Sequence, residues 1–95
     1  RTVDAAAEVH TCRGLQERLR LPCIQGLALR FLLGGTPGSE YRDAILFCRS
    51  APLADPERAA CFSLVQKHVS AAYPPQTLRA ICRMVDPDYR TERCP

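Results

Sequence analysis

Six cysteines arranged as three close pairs constrain this chain more than any other feature. Cys12 lies 11 residues before Cys23, Cys48 lies 13 before Cys61, and Cys82 lies 12 before Cys94. The first cysteines of the pairs stand 36 and 34 residues apart, the second ones 38 and 33. Each first cysteine is followed by arginine (Arg13, Arg49, Arg83). Each second one has a Glu-Arg dipeptide shortly before it (Glu17-Arg18, Glu57-Arg58, Glu92-Arg93). A period in the thirties is what a stacked helix-hairpin unit requires. The pattern speaks to architecture and compartment and names no ligand or reaction.

Six cysteines in 95 residues read as a disulfide framework and an oxidising compartment. A metal site is disfavoured, because zinc ligands come in tight Cys-x2-Cys spacing and the two histidines, His10 and His68, lie in different units. No cofactor is implied. The chain opens on Arg1 rather than methionine, so we read it as a mature or excised piece whose signal peptide has been removed. The expected location is secreted or periplasmic. No membrane span is expected, since the longest strongly apolar stretch, Leu27 to Leu33, is short and contains Arg30.

Helical periodicity is clear and strand alternation is absent. Thr2 is expected to cap a helix running through Val9 to about Cys12. Pro22 is expected to open a second one, carrying Ile24, Leu27, Ala28, Phe31 and Leu32. Ser39 then caps a helix with Tyr41, Ala44, Ile45 and Cys48 on one face, spaced i, i+3, i+4, i+7. The next opens at Asp55-Pro56, with proline at a favoured first-turn position, and would bury Cys61, Leu64, Val65, His68 or Val69, and Ala72. A helix after Pro74-Pro75 aligns Leu78, Ile81, Cys82 and Val85. A short sixth would run from about Asp88 to Cys94.

Prolines fall inside every cysteine pair: Pro22, then Pro52 with Pro56, then Pro87. Each pair therefore straddles a turn between two helices, where the hairpin brings the two cysteines within disulfide reach. This favours Cys12–Cys23, Cys48–Cys61 and Cys82–Cys94. Each closed loop stabilises by roughly 2–3 kcal/mol in the chain-entropy model. The expected fold is all-α. It is a single domain over residues 1–95 of three tandem disulfide-stapled helix hairpins (about 2–33, 39–72 and 75–95), stacked as a short solenoid or a compact bundle. In period alone the layout resembles tetratricopeptide-type arrays, whose consensus residues are missing. Saposin-like domains begin and end with closely spaced cysteines, which this chain lacks, and twin Cys-x9-Cys proteins carry each pair on one continuous helix, which a proline inside every pair denies here.

Twelve arginines, one lysine (Lys67) and ten acidic residues give a net charge of +3. Arg18, Arg42, Arg58 and Arg93 sit beside carboxylates, and Arg49 and Arg83 are placed to serve helix C-termini. No nucleic-acid footprint emerges. An arginine beside a thiol can activate it, but three equivalent Cys-Arg copies argue for structural cystines. His68 and His10 read as packing residues. Asp86, Asp88 and Glu92 read as solvated ion-pair partners of Arg83, Arg90 and Arg93. Gly26, within a helix, is expected to allow close approach of a neighbouring helix.

No catalytic signature is present, so an enzyme is not expected. The leading expectation is a non-enzymatic protein-binding module of a secreted or periplasmic protein, with a protein partner. The alternative is a carrier of a lipid or other small apolar ligand, held between helices by Leu27, Phe31, Leu32, Ile45, Phe47, Phe62 and Leu64.

Overall fold

The computed structural model describes residues 4–94. Five α-helices follow one another: α1 (Ala5–Arg13), α2 (Glu17–Gly34), α3 (Glu40–Ser50), α4 (Asp55–Ala72) and α5 (Pro75–Cys82). A single 3₁₀ turn, Pro87–Tyr89, comes after them. No strand occurs among the described residues, and no helix there is long and apolar enough to cross a membrane.

The two longest helices hold the structure together. α2 packs against α1, α3 and α4, while α4 packs against α2, α3, α5 and the 3₁₀ turn. Between them lie Val9, Ile24, Ala44, Ile45, Phe62, Val65, Val69 and Ile81, all shut off from solvent. The radius of gyration is 12.8 Å, against about 12 Å for a compact globule of this length. The result is a compact all-helical bundle.

The three disulfides each join the two cysteines of one pair: Cys12–Cys23, Cys48–Cys61 and Cys82–Cys94, with Cα–Cα distances of 5.6, 5.5 and 5.4 Å. Each first cysteine ends or nearly ends a helix. In the first two pairs, the second cysteine sits in the helix that returns. Three intramolecular bridges suit an oxidising compartment.

Several local expectations are corrected. Pro22 does not open α2; it lies inside it, and the break between α1 and α2 falls at Gly14–Gln16. Proline removes a main-chain donor, but every residue from Arg13 to Pro22 is exposed. The carbonyl that loses its partner can therefore be hydrated, so the helix tolerates the ring. Ser39 stands at the N-cap of α3 without using its side chain as a cap; its hydroxyl turns back to the Thr36 carbonyl at 3.4 Å. The cap expected at Thr2 lies outside the described residues. α1 is capped by Asp4, whose Oδ1 accepts from the Ala7 N–H at 3.1 Å.

The expected helix from Asp88 to Cys94 is absent, and the third unit has one α-helical arm only. Gln66 on α4 holds that segment instead. Its Nε2 donates to the Tyr89 carbonyl (2.8 Å), and its Oε1 accepts from the Thr91 N–H (2.8 Å) and hydroxyl (3.2 Å). Gln66 thus partners main-chain groups of a segment that is not helical.

Gly26 does not mark a close helix approach either. A Cβ placed there would meet nothing within 4 Å. Gly35 is the tight position: a Cβ would fall 2.8 Å from the Phe31 carbonyl oxygen and 2.9 Å from Glu40 Cβ, where α2 hands over to α3.

Candidate functional site

The helix faces that make the core also leave an apolar cleft between α1, α2 and α3. Phe31 on α2 and Phe47 on α3 form its floor, their ring centroids 5.4 Å apart and inclined at 33°. On one side, Leu27, Glu8 and Arg30 complete a depression of about 150 Å³. On the other, Leu46, Ala5 and Pro52 help to border one of about 380 Å³. Arg30 and Glu8 stand at the rim as an exposed ion pair, 3.4 Å apart. Leu46 is 56 % exposed, a large apolar side chain presented beside the phenylalanine floor.

The seven residues expected to line a ligand cavity divide. Leu27, Phe31 and Phe47 line the cleft, Phe31 half-buried and Leu27 and Phe47 from within the core, 7 % and 5 % exposed. Leu32, Ile45 and Phe62 are buried in the core, and Leu64 is half-buried against it. Phe62 is stacked on Tyr89, centroids 5.4 Å apart, so it anchors the C-terminal segment rather than facing a cavity. Phe47 and Phe62 therefore do not share one apolar pocket, although each adjoins a cysteine of the middle pair.

The charged residues sort differently from their sequence neighbours. Arg58 does not pair with Glu57. Its guanidinium donates to the carbonyls of Cys48 (2.6 Å), Arg49 (2.7 Å), Ala51 (3.3 Å) and Leu53 (2.9 Å), capping the C-terminus of α3. Glu57 instead meets Arg13 from the first unit, and its Oε1 also accepts the Ala54 N–H that opens α4. Arg49 does not serve the end of its own helix. It reaches the Met84 carbonyl and, at 3.5 Å, the Asp86 carboxylate. So the arginines after the first two first-cysteines each bind a carbonyl and a carboxylate in the following unit.

At the far end of α4, Tyr73 donates to both oxygens of Glu40, at 2.7 and 2.8 Å, with Tyr41 edge-on to its ring. The hydrogen bond from Tyr73 holds the Glu40 carboxyl below its ordinary range, with a smaller contribution from His68. The same bond pushes Tyr73 up to about 12. A tyrosine held protonated in this way is a tether between α3 and α4 and is poorly suited to act as a nucleophile.

His68 is half-buried and His10 exposed. Asp86 pairs with Arg49, not with Arg83. Among the described residues no group of three or more His, Cys, Asp or Glu side chains could hold a metal ion. Gln66, fully buried with every polar atom partnered, had no signal in the sequence beyond being a polar residue one position past the apolar stripe.

No family model, curated protein or solved structure matches this chain.

Proposed function

We propose that this chain is a non-enzymatic protein-binding module of a secreted or periplasmic protein, and that the cleft between α1, α2 and α3 is its contact surface. The observation that carries the reading is the open form of the cleft. Phe31 and Phe47 lie at its floor, Leu46 stands out beside them, and Glu8, Arg30 and Asp43 surround them with charge. An apolar centre inside a polar rim is the anatomy of a protein-binding patch. The three disulfides support the compartment, since they would not persist in a reducing cytosol.

The carrier reading draws on the same floor. Leu27, Phe31 and Phe47, with Arg30 at the rim, offer an apolar wall and a cation for a carboxylate headgroup. The shallow, open shape favours a protein side chain over a whole acyl chain.

Selection of helical peptides against the intact protein, with counter-selection against Leu46→Asp, separates the two. Binders that weaken at least tenfold on Leu46→Asp support the module. Retention of palmitate by native mass spectrometry, lost on Arg30→Glu and with no peptide selected, would reverse the order.

A further inference from the structure

Arg13 and Arg49 each bind a carbonyl and a carboxylate at the next Asp-Pro turn, Arg13 taking Glu57 after the proline and Arg49 taking Asp86 before it. Arg13 donates to the Pro52 carbonyl at 2.7 Å and makes a two-point contact with Glu57. Arg49 donates to the Met84 carbonyl and pairs with Asp86. The two targets have the same make-up. Leu53-Ala54-Asp55-Pro56-Glu57 and Val85-Asp86-Pro87-Asp88 are both acidic turns in which an Asp-Pro step opens a helix, each behind a buried apolar residue. A planar guanidinium can take a main-chain carbonyl and a carboxylate together, which a lysine ammonium does poorly.

Arg83 is the third member of this series, at the same place after the first cysteine of its pair. It is exposed and makes no side-chain hydrogen bond or ion pair among the described residues. It borders a depression of about 290 Å³ with Pro75, Leu78, Arg79, Cys82 and Arg90. The floor is apolar, three of its six lining residues are arginines, and no carboxylate lines it. Three residues before the first cysteine, the first two units carry Val9 and Ile45, both buried; the third carries Arg79, exposed. Where the earlier units are covered by protein, this one offers a cationic rim.

We infer that the groove of Arg79, Arg83 and Arg90 docks an acidic, proline-opened helix turn of a partner protein, by the contact that Arg13 and Arg49 make within the chain. The partner supplies a free carbonyl and a carboxylate to Arg83 and an apolar side chain to Leu78 and Pro75. A second copy of this chain is a poorer occupant. The turn inside its first cysteine pair, Gly14–Glu17, has no proline and sets Arg13, Arg18 and Arg20 close to its one carboxylate, while the Thr36–Glu40 turn has its carboxylate already held by Tyr73. The inference rests on the protein-binding reading but uses a surface other than the Phe31–Phe47 cleft.

The test titrates the isotope-labelled, disulfide-intact chain with a capped peptide of residues 51–57 followed by four alanines, monitored by NMR. Saturable shifts centred on Leu78, Cys82 and Arg83 are expected. Affinity should fall at least tenfold when the peptide's Asp and Glu become Asn and Gln, and equally in Arg83→Ala. Arg83→Lys should fall between. Binding indifferent to these changes, or weakened as much by Arg42→Ala, would overturn the inference by exposing a general charge effect. Self-association in sedimentation, abolished by Arg83→Ala, would overturn the choice of partner. Leu46→Asp should leave the titration unchanged. Peptide failure alongside Leu46-dependent binders removes this inference and leaves the cleft reading standing.

Discussion

Arg13 and Glu57, 44 residues apart, meet through two hydrogen bonds, Nε to Oε2 at 3.2 Å and Nη2 to Oε1 at 2.7 Å. The Glu57 carboxylate also caps Ala54 at 2.7 Å, so one side chain starts α4 and fastens it to the end of α1. Its side chain is only 12 % exposed.

Glu57→Ala should therefore destabilise the protein by about 1 kcal/mol, a loss of roughly 4–8 °C in melting temperature. Glu57→Gln keeps an acceptor for Ala54 and should lose less than half of that. Thermal melts by circular dichroism, with disulfides intact, check both.

The contributions of Glu40, Glu57 and Tyr73 to stability should be full from about pH 5 to 9 and fall on either side. Glu40 and Glu57 are both held below the ordinary carboxylate value of 4.5, Glu40 by Tyr73 and Glu57 by Arg13. Their contribution is full above that value and is lost as pH drops through the folded values. Tyr73 is pushed the other way, from 10.0 to about 12, by the same Glu40 bond. Its contribution is full below pH 10 and is lost between about 10 and 12. Tyr73→Phe should shrink both limbs, as read from melting temperature against pH.

Gly26→Ala and Gly35→Ala should move stability in opposite directions. Alanine at 26 enters open space within a helix and should stabilise by about 1 kcal/mol through helix propensity and a less free unfolded chain. Alanine at 35 would collide with the Phe31 carbonyl and Glu40, and should lower the melting temperature instead. Paired melts of the two variants decide.

Gln66→Leu should cost about 2–4 kcal/mol, because it strands the Thr91 N–H and the Tyr89 carbonyl without their partner. Amide exchange at Thr91 should accelerate far more than exchange in α2. Equal acceleration throughout would show that Gln66 acts only by filling space.

The middle bridge should be the last to open under mild reduction. Loop lengths of 11, 13 and 12 separate the bridges by less than about 0.2 kcal/mol in the chain-entropy model, so access decides. Cys48 and Cys61 are both fully buried, whereas Cys23 is half-exposed and Cys82 is 6 % exposed. Timed alkylation during dithiothreitol treatment should label Cys48 and Cys61 last.

The five α-helices, most of the apolar faces and the all-α class were legible because they follow from local periodicity and from cysteine spacing. The errors come from what local sequence does not carry: solvent exposure, helix geometry and contact between parts distant in the chain. Pro22 looked like a helix start because local chemistry places proline there, yet exposure of its surroundings lets α2 begin five residues earlier. Arg58 stood next to Glu57 in sequence, but helix geometry sends them to different partners. The stretch from Asp88 to Cys94 is not helical and is held by a glutamine more than twenty residues away. The cleft was half legible: apolar residues announce themselves, but that Phe31 stays half-exposed while Phe47 and Phe62 are buried depends on how the helices turn against each other.

Topologically, the covalent skeleton is three rings on a string. Residues 12–23, 48–61 and 82–94 each close on themselves through a bridge. A protease cut inside a ring, such as at the exposed stretch from Arg13 to Leu21, opens that ring without releasing either fragment. A cut on the string separates the molecule, and helices cover most of the string. Among the described residues its unprotected lengths lie around Thr36–Gly38 and at Pro74. Nicked inside its rings, the protein should thus survive as one particle, intact on a non-reducing gel and broken on a reducing one. That tolerance is useful wherever proteases share its compartment.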